Sequence, residues 1–294
     1  MALLVVALAT TLASNLIWRQ NLWLHQVETQ RNLAQARLLA IAGIDWARAV
    51  LADDFRTNNY DHKGEPWATK VPAMPVEGGE IAGGIEDEQS KWNLNNLLHS
   101  GQINQEQLAV FHKLLSQLQL PSTLAESLSD WLVSGNNTEQ NGGEEYYYLA
   151  LKPAYRSAHG ELNDIDNLLR VRGFDPQTVD RLRPYVSTLP DYTEVNVNTA
   201  STTVISAVLL DFPPSEIQRI ITERDRIPFI SMEDFKTRLP SSEFASLFSV
   251  NNLDTKSQYF SVFIHARYGN VDTSSTALLY RAITWPTVVW QRFE

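Results

Sequence analysis

The first eighteen residues, Met1 to Trp18, carry no charged side chain, and no Gly or Pro interrupts the chain before Gly43. As a helix, such a run rises about 27 Å, close to the hydrocarbon thickness of a bilayer. A removable secretory signal has a basic stretch before its apolar core and a small-residue cleavage site after it. Here nothing precedes the run, and Arg19, Trp23 and a long amphipathic continuation follow it. The segment therefore reads as a retained membrane helix. Either Met1 is an initiator without a basic flank, or a basic leader has already been removed. A terminal segment that is apolar nearly all round is a poor buried core helix. Trp18 and Trp23 fall where an interfacial aromatic belt is expected.

Past the bilayer the pattern becomes one-sided. Leu33, Ala36, Ala40, Ile44, Ala47 and Leu51 recur at spacings of three and four, with Glu28, Arg31, Arg37 and Arg48 between them. One helix from residue 1 to about 55, greasy at one end and striped at the other, is a stalk that leaves lipid and packs on a domain. Residues 55 to 75 contain Asn58, Asn59, Gly64, Pro66, Pro72 and Pro75 and read as a loop. Between 76 and 98 lie two short strand candidates around Glu80-Ile81-Ala82 and Ile85-Glu86-Asp87, with glycine pairs 78–79 and 83–84 marking bulges or tight bends. Residues 102 to 254 read as short helices, at 103–118, 121–132 (capped by Ser122 or Thr123), 161–169, 176–185, 201–210, 214–226, 231–239 and 242–248. After Asp254 the segments 258–268, 277–285 and 288–293 are rich in Tyr, Phe, Val, Ile and Trp and read as strands. Strands on both sides of a helical block belong to one sheet when the block is an insertion. The expected fold class is α+β, with boundaries at 1–23 for the membrane half, 24–98 for helix and first strands, 99–254 for the helical insertion and 255–294 for the last strands.

The chemistry in the sequence is sparse. There is no cysteine, which excludes disulfides, thiolate nucleophiles and Cys-based zinc sites. None of the six histidines stands at a metal-ligand spacing, and no nucleophile elbow, P-loop or dinucleotide fingerprint occurs. We expect no catalytic residues and no small-molecule substrate, which sets aside the reading of an anchored periplasmic enzyme. The stretch Glu194 to Ile230 has the shape of a helix-hairpin-helix unit, so a membrane-anchored DNA-binding protein is the alternative. Its hairpin reads Asp211-Phe212-Pro213-Pro214, without glycine and with two residues lacking an N–H. With a net charge of −10, the chain is a poor partner for phosphates, and no nucleic-acid binding is expected. The loop from Asp130 to Glu145 gathers the oxygens a hard cation takes: carboxylates Asp130, Glu144 and Glu145, and amides Asn136, Asn137 and Asn141.

Several segments in order resemble one family. They are the apolar start Met1-Ala2-Leu3-Leu4-Val5-Val6-Ala7-Leu8-Ala9, Pro75-Val76-Glu77-Gly78-Gly79, Trp92-Asn93-Leu94-Asn95, Asp130-Trp131, Gly142-Gly143-Glu144-Glu145, Leu168-Leu169-Arg170-Val171-Arg172-Gly173-Phe174 and Val195-Asn196-Val197-Asn198-Thr199-Ala200. The chain resembles minor pseudopilin K of bacterial type II secretion systems along essentially its whole length. The resemblance implies a pilin-like fold, a long helix on a small antiparallel sheet, with an inserted helical domain of SAM-like pieces. It implies a mature form cut by a prepilin peptidase, with a methylated amino terminus at Met1, a single-pass inner-membrane anchor and a periplasmic body. The implied function is structural: capping the pseudopilus tip with minor pseudopilins I and J for export of folded proteins. Most pilins carry a glutamate at position five; Val5 here fits a subunit with no neighbour above it. For assembly, Val5 and the small Ala9 and Ala13 allow close helix approach in the membrane half, and the stripe with Leu33, Ala40 and Ile44 should pack on this chain's own sheet or on neighbouring stalks. The family also binds calcium in the loop singled out above. This chain keeps Asp130, Glu144 and Glu145 but has Val133 and Gly135 where the family tends to have acids, so the implied site is partly degraded, with Asn136 and Asn137 as substitutes.

Overall fold

The computed structural model describes residues 1–133, 142–239 and 248–294, without the side chains of residues 142–145, 248 and 249. The chain divides into two compact units. One comprises Met1–Asp54, Pro66–Glu86 and Ser261–Glu294, the other Phe55–Glu65 and Asp87–Phe260.

The first unit is built on helix α1, Ala2–Thr57, whose 56 residues span about 84 Å at 1.5 Å per residue. Everything up to residue 31 is exposed. From there the expected stripe turns inward: Ala36, Ala40, Ile44, Ala47 and Leu51 are buried, while Leu33 is half-buried. They lie on a five-stranded sheet made of β1 (Val71–Val76), β2 (Gly79–Asp87), β3 (Tyr259–Tyr268), β4 (Val271–Tyr280) and β5 (Thr287–Phe293), in that spatial order. The pairs β1–β2 and β4–β5 are antiparallel. Residues 79 and 83 of β2 sit against the carbonyls of Arg267 and Phe263, so β2 and β3 also run in opposite directions. A Cβ on Gly79 would lie 1.9 Å from the Arg267 oxygen, and one on Gly83 would lie 2.5 Å from that of Phe263. The glycine pairs therefore mark close approach of two backbones. Gly78 turns β1 into β2 with φ +79°, which favours a residue without Cβ.

Two strands differ from the sequence expectation. β1 lies in the segment read as a loop, because Pro72 and Pro75 argue against a central strand; at a sheet edge their missing N–H groups are tolerated. β4 begins at Val271 rather than Ala277 and ends at Tyr280 rather than Trp285. Thr273 and Ser275 alternate inward with Ala277, so a buried strand face had the composition of a turn.

The second unit is mostly helical. Its helices are α2 (Gln105–Gln117), α3 (Thr123–Leu132), α4 (Gly142–Ala150), α5 (Pro176–Leu182), α6 (Thr202–Val208), α7 (Pro214–Arg226) and α8 (Met232–Arg238). Side-chain caps start most of them: Asn104 accepts from the amides of Glu106 and Gln107, Asp175 from Thr178, Ser201 from Val204 and Ser231 from Asp234. The expected cap of α3 is not made, since Ser122 has helical backbone angles and no side-chain bond to the turn. The segment read as a helix at 161–169 is a tighter 3-10 turn, Ile165–Arg170. The expected helix at 242–248 falls almost wholly outside the described residues. One core joins these elements, with Phe111, Leu114, Leu128, Leu168, Leu182, Ile205 and Phe235 fully buried. Trp92, Leu94 and Leu97 belong to this core too, and the longer stretch of the helical unit runs from Asp87, where the sequence suggests a boundary at 99.

Candidate functional site

Two features separate this chain from an ordinary α+β protein: a membrane-length helix standing free of its own fold, and a helical unit held by buried asparagines. α1 is the only candidate membrane span among the described residues, and none of its most apolar stretch is buried. Met1, Val5, Ala9 and Ala13 are all exposed. Ala40 and Ile44 are covered by the chain's own sheet, since a Cβ on neighbouring Gly43 would already lie 2.9 Å from Ile81 and 3.0 Å from Ile264. Near the helix end, Asp54 and Arg281 form a buried ion pair at 2.7 Å.

The asparagines of Trp92-Asn93-Leu94-Asn95-Asn96 each grip backbone far away in sequence. Asn93 accepts from Leu189 N at 3.0 Å and donates to Asp191 O at 2.8 Å. Asn95 accepts from Leu162 N at 2.8 Å and donates to Leu162 O and Leu189 O, both at 2.9 Å. Asn96 pairs with both backbone groups of Thr193. The second motif repeats the device. Asn198 accepts from Phe229 N at 2.9 Å and donates to Phe229 O at 2.8 Å, and Asn196 donates to Ser257 Oγ at 2.9 Å. A carboxamide carries donor and acceptor side by side, so one side chain satisfies both groups of a distant peptide unit. These clamps are structural, a role that the motifs do not reveal in the sequence alone. The available signal was amide residues set among Trp, Leu and Val in segments that otherwise read as buried.

Beside Asn196 sits Asp87, fully buried, bonded by Ser257 Oγ at 2.8 Å and by the hydroxyl of Thr199. Burial pushes its carboxyl up to about 6, with the charge of Asp61 adding to the rise and the bonds from Thr199, Ser257 and the Gln89 amide opposing it.

The helix-hairpin-helix shape is present in α6 and α7, and its hairpin is unsuited to phosphate. Phe212 is buried, Pro213 is the cap residue and makes no side-chain bond, and Pro214 opens α7. Arg224, the most buried cation of α7, donates to the carbonyls of Val197 and Ala200 at 3.0 and 2.7 Å. Its charge is thus spent inside the unit.

The proposed cation loop is only partly described. Asp130 lies on the last turn of α3, half-buried. Asn136, Asn137 and Asn141 lie outside the described residues, as do the side chains of Glu144 and Glu145. The backbone of those two glutamates is in α4, so the stretch read as continuous loop turns helical at Gly142. The flanks are tied by aromatics: Trp131 meets Tyr148 edge-on at 5.2 Å and Tyr155 at 6.3 Å.

One histidine sits beside a hydroxyl and a carboxylate. His265 is 3.3 Å from Ser274 Oγ and 3.3 Å from Asp272 Oδ1, on an open strand face and half exposed. Arg267 holds the same Asp272 oxygen at 2.8 Å.

Comparison with known proteins places this architecture. Residues 90–191 and 195–254 match the two profiles described as type II secretion system (T2SS), protein K. The type II secretion system protein K of Pseudomonas aeruginosa is 34% identical over 249 residues, covering 81% of this chain and 74% of that protein. That of Pectobacterium carotovorum subsp. carotovorum is 29% identical over 297 residues, covering 95% and 90%. The crystal structure of the GspK-GspI-GspJ complex from the enterotoxigenic Escherichia coli type 2 secretion system contains a chain of the same fold, with a TM-score of 0.75 at 21% identity over 92% of this chain and 99% of that one. With its long apolar helix, its helix-on-sheet unit and its helical unit, this chain belongs to the type II secretion system protein K family.

Proposed function

We propose that this chain is the minor pseudopilin that caps the tip of a type II secretion pseudopilus and helps initiate its assembly, so that folded proteins leave across the outer membrane. The observation that carries the reading is α1: it is exposed up to residue 31 and there contributes nothing to the chain's own core, while its second half is consumed by the sheet. A helix that cannot bury itself is built for lipid and for other helices. The anchor crosses the inner membrane once, with the body in the periplasm. The reading includes processing by a prepilin peptidase and N-methylation of the resulting terminus, and Val5 leaves no carboxylate in lipid where no subunit follows.

The partners are minor pseudopilins I and J, as in the solved complex of the related chain, and the role involves no catalytic step. The reading includes a calcium ion bound by the Asp130–Glu145 loop, supported by the acid and amide oxygens of that sequence. Deleting the gene in its own host tests the function. Export of folded substrates should stop while those proteins accumulate in the periplasm, and DNA uptake should be unchanged. Continued export, or a loss confined to DNA uptake, would overturn the proposal.

A further inference from the structure

The membrane half of α1 is not uniform around its axis. Between Met1 and Trp18 the side chains with hydrogen-bonding groups are Thr10, Thr11, Ser14, Asn15 and Trp18. Their spacing of i, i+1, i+4, i+5 and i+8 gathers all five on one face, where they border one continuous surface. The opposite face, through Val5, Ala9, Leu12, Ala13 and Leu16, is hydrocarbon only.

Hydrogen-bond accounting separates these polar groups further. The Thr10 hydroxyl donates back to the carbonyls of Val6 and Ala7 at 3.0 and 2.9 Å, and Thr11 to those of Ala7 and Leu8 at 3.1 and 2.8 Å. Both threonines are thus satisfied by their own helix. The side chains of Ser14 and Asn15 have no hydrogen-bond partner among the described residues. Asn15 brings two N–H donors and one carbonyl acceptor. It stands four residues before Arg19, about 6 Å inside the level of the first charge. Water is absent from the hydrocarbon, and lipid tails offer nothing to a carboxamide. Another helix does.

We propose that the Thr10–Thr11–Ser14–Asn15–Trp18 face docks the membrane helix of a partner minor pseudopilin, one that presents a hydroxyl, amide or carboxylate oxygen to the Asn15 carboxamide. This rests on the tip reading above and adds to it the face and the chemistry of the contact. Small Ala7 and Ser14 allow close approach on that side, and the partner contact lies there rather than on the Val5, Ala9 and Ala13 side expected from sequence, which faces lipid. Lipid headgroups are poor occupants because Asn15 lies inside the first charged level. A second copy of this chain would pair Asn15 with itself, and the experiment separates that case.

The chain contains no cysteine, so single-cysteine cross-linking of the full-length protein in native membranes is unambiguous. Thr11→Cys and Ser14→Cys sample the polar face, Leu12→Cys and Leu16→Cys the other, each expressed with single-cysteine minor pseudopilins I and J. The expected result is disulfide adducts with a partner from Thr11→Cys and Ser14→Cys, and few from Leu12→Cys and Leu16→Cys. Adding Asn15→Leu to Ser14→Cys should lower the adduct roughly threefold, the factor an average interhelical hydrogen bond supplies in a bilayer, and Asn15→Gln should restore it. Equal adducts from both faces, or no response to Asn15→Leu, would overturn the proposal. So would self-adducts of Ser14→Cys formed when I and J are absent. Co-purification of the same variants with I and J in detergent is read in parallel. A complex that forms while cross-linking ignores the face removes this inference alone. Absence of any complex removes the tip reading with it.

Discussion

Replacing Asn95 by alanine should be among the most damaging single changes in the helical unit, and its size follows from three bonds. Asn95 accepts from Leu162 N at 2.8 Å and donates to Leu162 O and Leu189 O at 2.9 Å. Leu189 O also accepts from Asn93 at 3.3 Å and keeps a donor when Asn95 is shortened. The N–H and C=O of buried Leu162 have no second partner among the described residues. Two buried backbone groups are therefore orphaned, at about 2 kcal/mol each, so Asn95→Ala should cost about 4 kcal/mol. With a urea slope near 3 kcal/mol/M, the unfolding midpoint falls by about 1.3 M. Pulse proteolysis of the full chain in detergent reads that midpoint, with exposed-turn Asn270→Ala as the control.

Asn95→Asp sharpens the test. One carboxylate oxygen still accepts from Leu162 N, but the other faces two carbonyl oxygens and needs a proton. Its folded-state pKa is raised, so its contribution is full below the unfolded value of about 3.9 and is lost as pH rises. The aspartate variant should approach the parent near pH 4 and fall to the alanine variant or below near pH 7. A midpoint shift for Asn95→Ala under about 0.3 M, or an Asn95→Asp variant indifferent to pH, would refute the clamp reasoning.

Other consequences are open to the same assay. Asp54→Ala leaves Arg281 without its 2.7 Å partner in a buried setting and should cost about 3–5 kcal/mol, while joint replacement by Leu at 54 and Met at 281 should recover most of it. Gly83→Ala forces a Cβ to 2.5 Å from the Phe263 carbonyl and should separate β2 from β3, seen as lost amide-exchange protection in both strands. Gly160→Ala, whose Cβ meets nothing closer than 3.8 Å, should be silent. Asp87, raised to about 6, holds a proton that the unfolded chain releases near pH 4. Its contribution is therefore present below that pH and lost as pH rises through 6; Asp87→Asn should flatten stability over this window, and an unchanged pH profile would contradict the assignment.

Much of the fold was legible because its periodicities are local. The α1 stripe, the amphipathic repeats of α2, α3 and α7, and the Tyr- and Phe-rich β3 follow from side-chain spacing alone. β1 was hidden by prolines that only an edge position tolerates, and the start of β4 by Thr273 and Ser275, whose burial depends on strands distant in sequence. α4 was hidden behind Gly142-Gly143, a pair that reads as loop in isolation. For the functional features, the membrane helix was plain from its missing charges. The asparagine clamps were not, because Leu162, Leu189 and Phe229 lie 31 to 96 residues from the amides that hold them. The polar face of the membrane half was written in the spacing of residues 10, 11, 14 and 15. It gained meaning only once the hydroxyls of Thr10 and Thr11 proved self-satisfied and Asn15 did not.

The most direct test of the central claim is the composition of the complex this full-length chain forms in its own membranes. Solubilised in mild detergent and purified by a tag on this chain alone, it should carry minor pseudopilins I and J at one copy each per chain, with calcium present and again with a chelator to read the Asp130–Glu145 loop. Recovery of the chain by itself, or with copies of itself only, would contradict the account of a tip subunit.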